Sequence, residues 1–164
     1  MPYFLLLKVP FNLRVVRDTL GWFGRERSVG RLHRNGYPRG SCLATWYSEG
    51  KDVEMALRRL VEQTYSGIIE IVPIIDGAVA NQPTTAAVRH FQADRRLPRN
   101  RLIRPIAKWQ RGGRVSSLNT GLAFSTGEIV ITVEGDTSFD NDMVVHMVRP
   151  FNDPRVTAGA GRLR

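Results

Sequence analysis

Cysteine is nearly missing from this sequence: Cys42 is the only one in 164 residues. A disulfide framework is therefore excluded, and a cysteine-based metal centre lacks ligands. The cytosol is the compartment such thiol usage suggests. Long apolar runs are missing as well. The longest early run, Tyr3 to Leu7, falls far below the roughly 20 residues that cross a bilayer. It is also short for a signal-peptide core, with no basic region before it and no A-x-A-like site. Neither G-x-G-x-x-G nor G-x-x-x-x-G-K-[ST] occurs, so the two familiar glycine-rich phosphate loops are excluded. There are no internal repeats and no low-complexity segment.

Acids are outnumbered, 15 to 24, giving a net charge of +9. The excess is local. Residues 1–40 carry Lys8, Arg14, Arg17, Arg25, Arg27, Arg31, Arg34 and Arg39 against only Asp18 and Glu26, so about +6 sits there and about +3 on the other 124 residues. A basic arm or linker over 1–40 and a folded domain over 41–164 are expected. Leu13, Val16, Leu20 and Phe23 have helical spacing, which suits a basic amphipathic helix or a helix packed on the domain. Gly24 to Gly40 reads as linker. Such an arm can attract nucleic acid or an anionic membrane. A non-catalytic module binding through this arm is the alternative to the enzymatic reading below. For this arm a membrane surface is the candidate partner favoured over nucleic acid.

From Ser41 onward, strands and helices alternate. Cys42 to Trp46 is a strand-length apolar run. Val53, Ala56, Leu57, Leu60, Val61 and Thr64 mark an amphipathic helix. Ile68 to Ile75 is a β-branched run ending at the turn pair Asp76-Gly77, and Pro73 within it predicts a bulge or an edge position. Pro83 opens a second helix that carries Ala87, Phe91 and Leu97. Leu102 to Ile106 is a weaker strand. Gly112-Gly113 leads into a third helix with Val115, Leu118, Leu122 and Ala123, closed by Gly127. Glu128 to Glu134 is apolar at most positions and predicts a strand covered on both faces. A fourth helix is expected from Asn141 to Val148, and another strand from Val156 to Gly161.

This alternation predicts an α/β fold with a mostly parallel sheet flanked by helices. In such sheets ligands bind beyond the carboxyl ends of the strands. Three of those ends carry polar groups: Tyr47 and Glu49, Asp76, and Glu134-Gly135-Asp136. They are expected to share one rim. Glu134 and Asp136, with a nucleotide diphosphate, can hold a hard divalent cation; as a pattern, acid-Gly-Asp also serves as plain turn punctuation. Asp76 can accept from a base N–H or a ribose hydroxyl, or simply form its turn. Tyr47 and Glu49 can hold a nucleoside, or be an ordinary loop Tyr and helix-start Glu. Free N–H groups at Gly112-Gly113, with Arg114, can contact phosphate.

The order of these segments carries more than any one of them. Ala44-Thr45-Trp46-Tyr47-Ser48-Glu49 resembles the P-x-Y-N-E opening of family 2 glycosyltransferases. Glu70 to Gly77 resembles their strand ending in D-G. Gly112 to Leu122 resembles G-G-K-x-x-A-L-N-x-G-L, Ser125 to Val130 the A-x-G-E-x-x entry, and Glu134 to Thr137 the D-x-D-T turn. Asp153-Pro154-Arg155-Val156 with Gly159 to Arg164 resembles the D-P-x-V-x-A-x-x-G segment. The processive synthases of hyaluronan, chitin and cellulose are the most similar members.

The resemblance implies a truncated GT-A fold that binds a UDP-sugar with Mg²⁺ or Mn²⁺ for transfer to an unknown acceptor, in polysaccharide synthesis at the cytoplasmic face of a membrane. It implies nucleoside contacts from Tyr47, Glu49 and Asp76, a diphosphate contact from Arg114, and metal binding by Asp136 with Glu134 beside it. Thr45, Ser48, Ile75, Arg114 and Glu134 depart from the usual Pro, Asn, Asp, Lys and Asp. The family's E-D base and Q-x-x-R-W motifs do not occur before Arg164. A donor-binding part is therefore expected, completed by a C-terminal half, a second chain or self-association, and with little transfer of its own.

Overall fold

The computed structural model describes residues 36–93, 96–135 and 138–161, together with Leu13, Val16 and Arg17. The chain divides into two units, Met1–Arg34 and Asn35–Arg164. In the first, Leu13, Val16 and Arg17 are helical and exposed; Leu20 and Phe23 of the expected basic helix lie outside the described residues. All that follows concerns the second.

Five strands form its sheet: β1 (Gly40–Trp46), β2 (Ile69–Ile75), β3 (Arg101–Ile103), β4 (Ile106–Ala107) and β5 (Ile129–Glu134). The helices are α1 (Val53–Val61), α2 (Gln82–Gln92), α3 (Gly113–Phe124) and α4 (Met143–Val148). Every pairing is parallel, in the order β3-β2-β1-β5, with β4 beside β2 beyond β3. All strands therefore present their carboxyl ends along one rim.

Alternation along the strands sorts the core into two layers. Cys42, Ala44, Trp46, Ile69, Ile71, Ile75, Ile129 and Ile131 face α1, α2 and α4, where Leu57, Leu60, Val88, Phe91, Val144 and Val148 meet them. Burial of each such large side chain contributes about 1.5–3 kcal/mol. On the other face Leu43, Val72 and Ile74 meet Ile106 and Leu118. Only α3 covers that face among the described residues, and only Ser117 and Gly121 of α3 are buried. Val115, Leu122 and Phe124 remain exposed.

Three sequence expectations change here. Strand β5 is not covered on both faces: Ile129 and Ile131 are buried, while Val130 and Thr132 are exposed. Those two stand in register with Ser41 and Leu43, on the face that α3 covers only over β1 and β2. Strand β2 is central and fully buried despite Pro73. The register that pairs Ile71 with Ile103 and Ile74 with Ile106 sets Pro73 opposite Pro105, where the neighbouring strand is already broken. The missing N–H of Pro73 thus falls where no ladder bond is formed. Finally, residues 156–161 form no strand.

Two buried polar residues, neither evident from sequence pattern, fasten the end of the sheet away from the rim. Arg101 donates to the carbonyls of Val61, Gln63, Tyr65, Gly67 and Asn100, and so holds the turn between α1 and β2. Glu70 accepts from Ser41 Oγ (2.5 Å), the Thr126 N–H (2.8 Å), Thr126 Oγ1 (3.0 Å) and Arg104 Nη1 (2.6 Å). Burial alone would raise the Glu70 carboxyl, but the donors from Ser41, Thr126 and Arg104 outweigh it and hold its pKa below the usual value. A depressed folded-state pKa stabilises the protein fully above the unfolded value, and that contribution is lost as pH falls through the folded one. Glu70→Gln should cost about 2–4 kcal/mol in urea unfolding at pH 7, with a smaller penalty at acid pH where the wild-type carboxylate is protonated. An unchanged midpoint at pH 7 would show that this cluster does not hold the strands together.

Candidate functional site at the sheet rim

The rim is stitched by backbone bonds before any side chain acts. The Asp76 N–H donates to the Trp46 carbonyl (2.8 Å), and the Lys108 N–H to the Ile75 carbonyl (3.0 Å). Strand ends β1, β2 and β4 therefore finish level, and the segment from Lys108 to Arg114 runs from β4 into α3 across them.

Asp76 anchors that segment. The residue is buried, only 5 % exposed. Oδ1 accepts from Lys108 Nζ (2.6 Å) and the Gly112 N–H (2.9 Å), and Oδ2 from the Gly113 N–H (2.8 Å). Lys108 Nζ also donates to Ser116 Oγ (3.0 Å) and Ser117 Oγ (3.2 Å), which uses its three donors. Burial pushes the Asp76 carboxyl up, but bonds from Lys108, Gly112 and Gly113 together hold its pKa below the usual carboxylate range. The first N–H groups of α3 are thus taken by an internal carboxylate, which also suits the positive end of the helix. This corrects the expectation that Gly112 and Gly113 offer free N–H groups to phosphate. Asp76 has its own protein donors, and the first effect of its charge is to fix the loop.

Tyr47, half-exposed, lies under the Arg111 guanidinium, with Cζ 3.8 Å from the ring centroid. Glu49 Oε2 accepts the Tyr47 N–H at 2.8 Å and so shapes the turn after β1. Across the rim, Arg114 Nη2 pairs with Glu134 Oε1 at 2.5 Å, both side chains more than half exposed. Of the six residues singled out in the sequence, Tyr47, Glu49, Asp76, Arg114 and Glu134 stand at this rim. Asp136 lies outside the described residues, next to Gly135 at the end of β5. Ile75, where family members often carry an acid, is buried in the core. Lys108 and Arg111 escaped the sequence reading. The available signal was a run of three cations, Lys108, Arg111 and Arg114, spaced by three residues around the two glycines.

Among the described residues no group of three or more His, Cys, Asp or Glu side chains is placed to hold a metal ion. Magnesium-type cations need fewer protein ligands than that, since one or two carboxylates suffice when substrate phosphates and water complete the shell. Glu134 supplies one exposed carboxylate at the strand end, so the donor set fits a cation that arrives with a phosphate ligand.

Sequence comparison gives the same reading of the whole domain. The family profile described as Glycosyl transferase family 2 matches residues 41–164. The chain belongs to that family. An N-acetylglucosaminyltransferase of Bradyrhizobium diazoefficiens is 28 % identical over 108 residues, covering 65 % of this chain and 21 % of its own length. One from Bradyrhizobium elkanii is 30 % identical over 107 residues, covering 65 % of this chain and 56 % of its own length. A mannosyltransferase from Pyrobaculum calidifontis, solved in complex with GDP-Man and Mn²⁺, superposes with a TM-score of 0.66 and 23 % identity. That match covers 84 % of this chain and 41 % of the mannosyltransferase, and shows the shared fold. The GT-A architecture expected from the motifs is therefore present. This family 2 chain spans between about a fifth and just over half of the length of these relatives.

Gly135 belongs to the same rim. A Cβ there would lie 1.8 Å from Trp46 Nε1 and 2.1 Å from its Cδ1. Trp46 is buried, and its indole N–H has no acceptor among the described residues. Gly135, which follows the strand-end acid Glu134, thus rests directly on the indole, and glycine is the residue that permits it. Gly135→Ala should lower stability by about 1–3 kcal/mol through overpacking and shift Trp46 fluorescence. Unchanged stability and emission would mean that the turn does not sit on the ring.

Proposed function

We propose that this chain binds the nucleotide-sugar donor of a family 2 glycosyltransferase at the rim described above. The donor is a UDP-sugar, and the product is a growing polysaccharide made in the cytosol or at the cytosolic face of a membrane. One observation carries the reading. A single buried anchor, Asp76, holds a loop that presents two exposed guanidiniums, Arg111 and Arg114, between an aromatic ring, Tyr47, and the acid-bearing end of β5. That order matches a nucleotide diphosphate laid along the rim, with base on ring, phosphates on guanidiniums and a cation beside the acids.

In this assignment Tyr47 takes the base, Glu49 offers its second carboxylate oxygen to the nucleoside, and Asp76 keeps the loop in place. Arg114 takes the diphosphate. Glu134 and Asp136 would hold Mg²⁺ or Mn²⁺, which when bound neutralises the diphosphate and acts as a Lewis acid. During transfer an acceptor hydroxyl forms a bond to the anomeric carbon, the bond from that carbon to the phosphate oxygen breaks, and a base takes the hydroxyl proton. We assign the donor side of that reaction to these residues and leave the base to the part of the enzyme that binds the acceptor. The exposed apolar residues Val115, Leu122, Phe124 and Val130 lie on the face where that further part, or a second copy, would pack.

Titration calorimetry with UDP in the presence of Mn²⁺ should show binding that chelator weakens at least tenfold. Asp136→Ala should remove the metal dependence, and Arg114→Ala should weaken UDP about tenfold to a hundredfold, the range for loss of a charged hydrogen bond. No heat with UDP, or binding indifferent to both metal and Asp136, would contradict the assignment.

A further inference from the structure

Among the described residues, the Tyr47 ring is the only aromatic surface at the rim that faces a cation on the anchored loop, and that geometry raises a question of occupancy. The Arg111 guanidinium carbon sits over the ring, 3.8 Å from its centroid, about the separation at which a planar base stacks on an aromatic side chain. A base cannot take this face of the ring while the guanidinium is there. We propose that Arg111 fills the base seat of the free protein and moves to the phosphates when nucleotide binds, so that one residue both screens the seat and clamps the ligand. This inference rests on the donor-site reading above and goes beyond it in giving Arg111 two positions.

Three observations support the exchange. First, the backbone of Arg111 is held while its side chain is not. Gly77, at φ +69° in the turn after β2, packs so tightly that a Cβ there would lie 3.3 Å from Arg111 N and Cβ. The next residue, Gly112, is bonded through its N–H to Asp76. Only the long side chain of Arg111 is left to swing. Second, no carboxylate pairs with Arg111 among the described residues, so its move breaks no ion pair, whereas Lys108 is held by buried Asp76 and Arg114 leaves Glu134 to reach the diphosphate. A ring face holds an exposed cation more weakly than a phosphate does. Third, a guanidinium can serve both positions, because it is planar enough to stack and forked enough to bind phosphate oxygens in pairs.

The two roles predict opposite effects of one substitution. In Arg111→Ala, uridine should bind severalfold tighter, since the seat is vacant, and UDP severalfold weaker, since the clamp is gone. Arg111→Lys should keep most of the UDP affinity through its charge and still gain uridine affinity through loss of the flat stacking group. Calorimetry of wild type and both variants with uridine and with UDP measures all six affinities, and thermal unfolding confirms that the exposed side chain is not needed for folding. Arg111→Ala weakening both ligands would make Arg111 a plain ligand and overturn the exchange, as would no change in either. If wild type binds neither compound, the donor-site reading itself fails and this inference with it.

Discussion

A buried carboxylate at the end of a central strand organises this domain. Asp76 is placed by β2, and it accepts from the lysine that follows the neighbouring strand β4 and from the first amides of α3. An uncompensated charge in that position would be costly. The three donors convert it into a rigid joint between strand, loop and helix. The joint also settles the electrostatics of the rim. Asp76 and Lys108 cancel each other, the helix N-terminus is satisfied internally, and Arg111 stands outward with no carboxylate partner among the described residues, near the exposed Arg114–Glu134 pair.

The two ends of the sheet are thus held by similar chemistry to different ends. At the amino end, Glu70 and Arg101 are saturated by protein groups and serve the fold. At the carboxyl end, Asp76 is saturated while its neighbours stay exposed, and the exposed ones carry the charges and ring to which we assign the nucleotide. The asymmetry follows from the parallel sheet, which gathers every carboxyl end and its connecting loop on one side. Among the described residues the faces of the sheet are unequal as well, with three helices over one and α3 alone over the other.

Much of this was legible in the sequence because it rests on local periodicity. The spacing of Val53, Ala56, Leu57 and Leu60 marked α1, and each is buried where expected. Pro83 marked the start of α2, and the apolar run at Ile129 marked β5. The motif order gave the family and the fold. The parts that failed depend on neighbours that a local window does not contain. Coverage of β5 is decided by what lies over Val130 and Thr132, and a run of apolar residues does not record it. Pro73 signals a bulge or an edge position when its partner is unknown; the break at Arg104-Pro105 in the adjacent strand lets it sit centrally. The role of Asp76 was half legible. Its Asp-Gly turn was plain, but the amides it binds lie 36 and 37 residues further along. Lys108, Arg111 and Arg101 were missed for the same reason, since a cation between two elements looks like loop until its acceptors are known.

Amide hydrogen exchange at Gly112 and Gly113, compared between wild type and Asp76→Ala, tests the central joint most directly. Both amides should be protected in the wild-type protein and should exchange far faster in the variant, while the amides of β1 keep their protection. Exchange at those two positions that is fast in wild type, or that stays slow once the carboxylate is removed, would contradict the account.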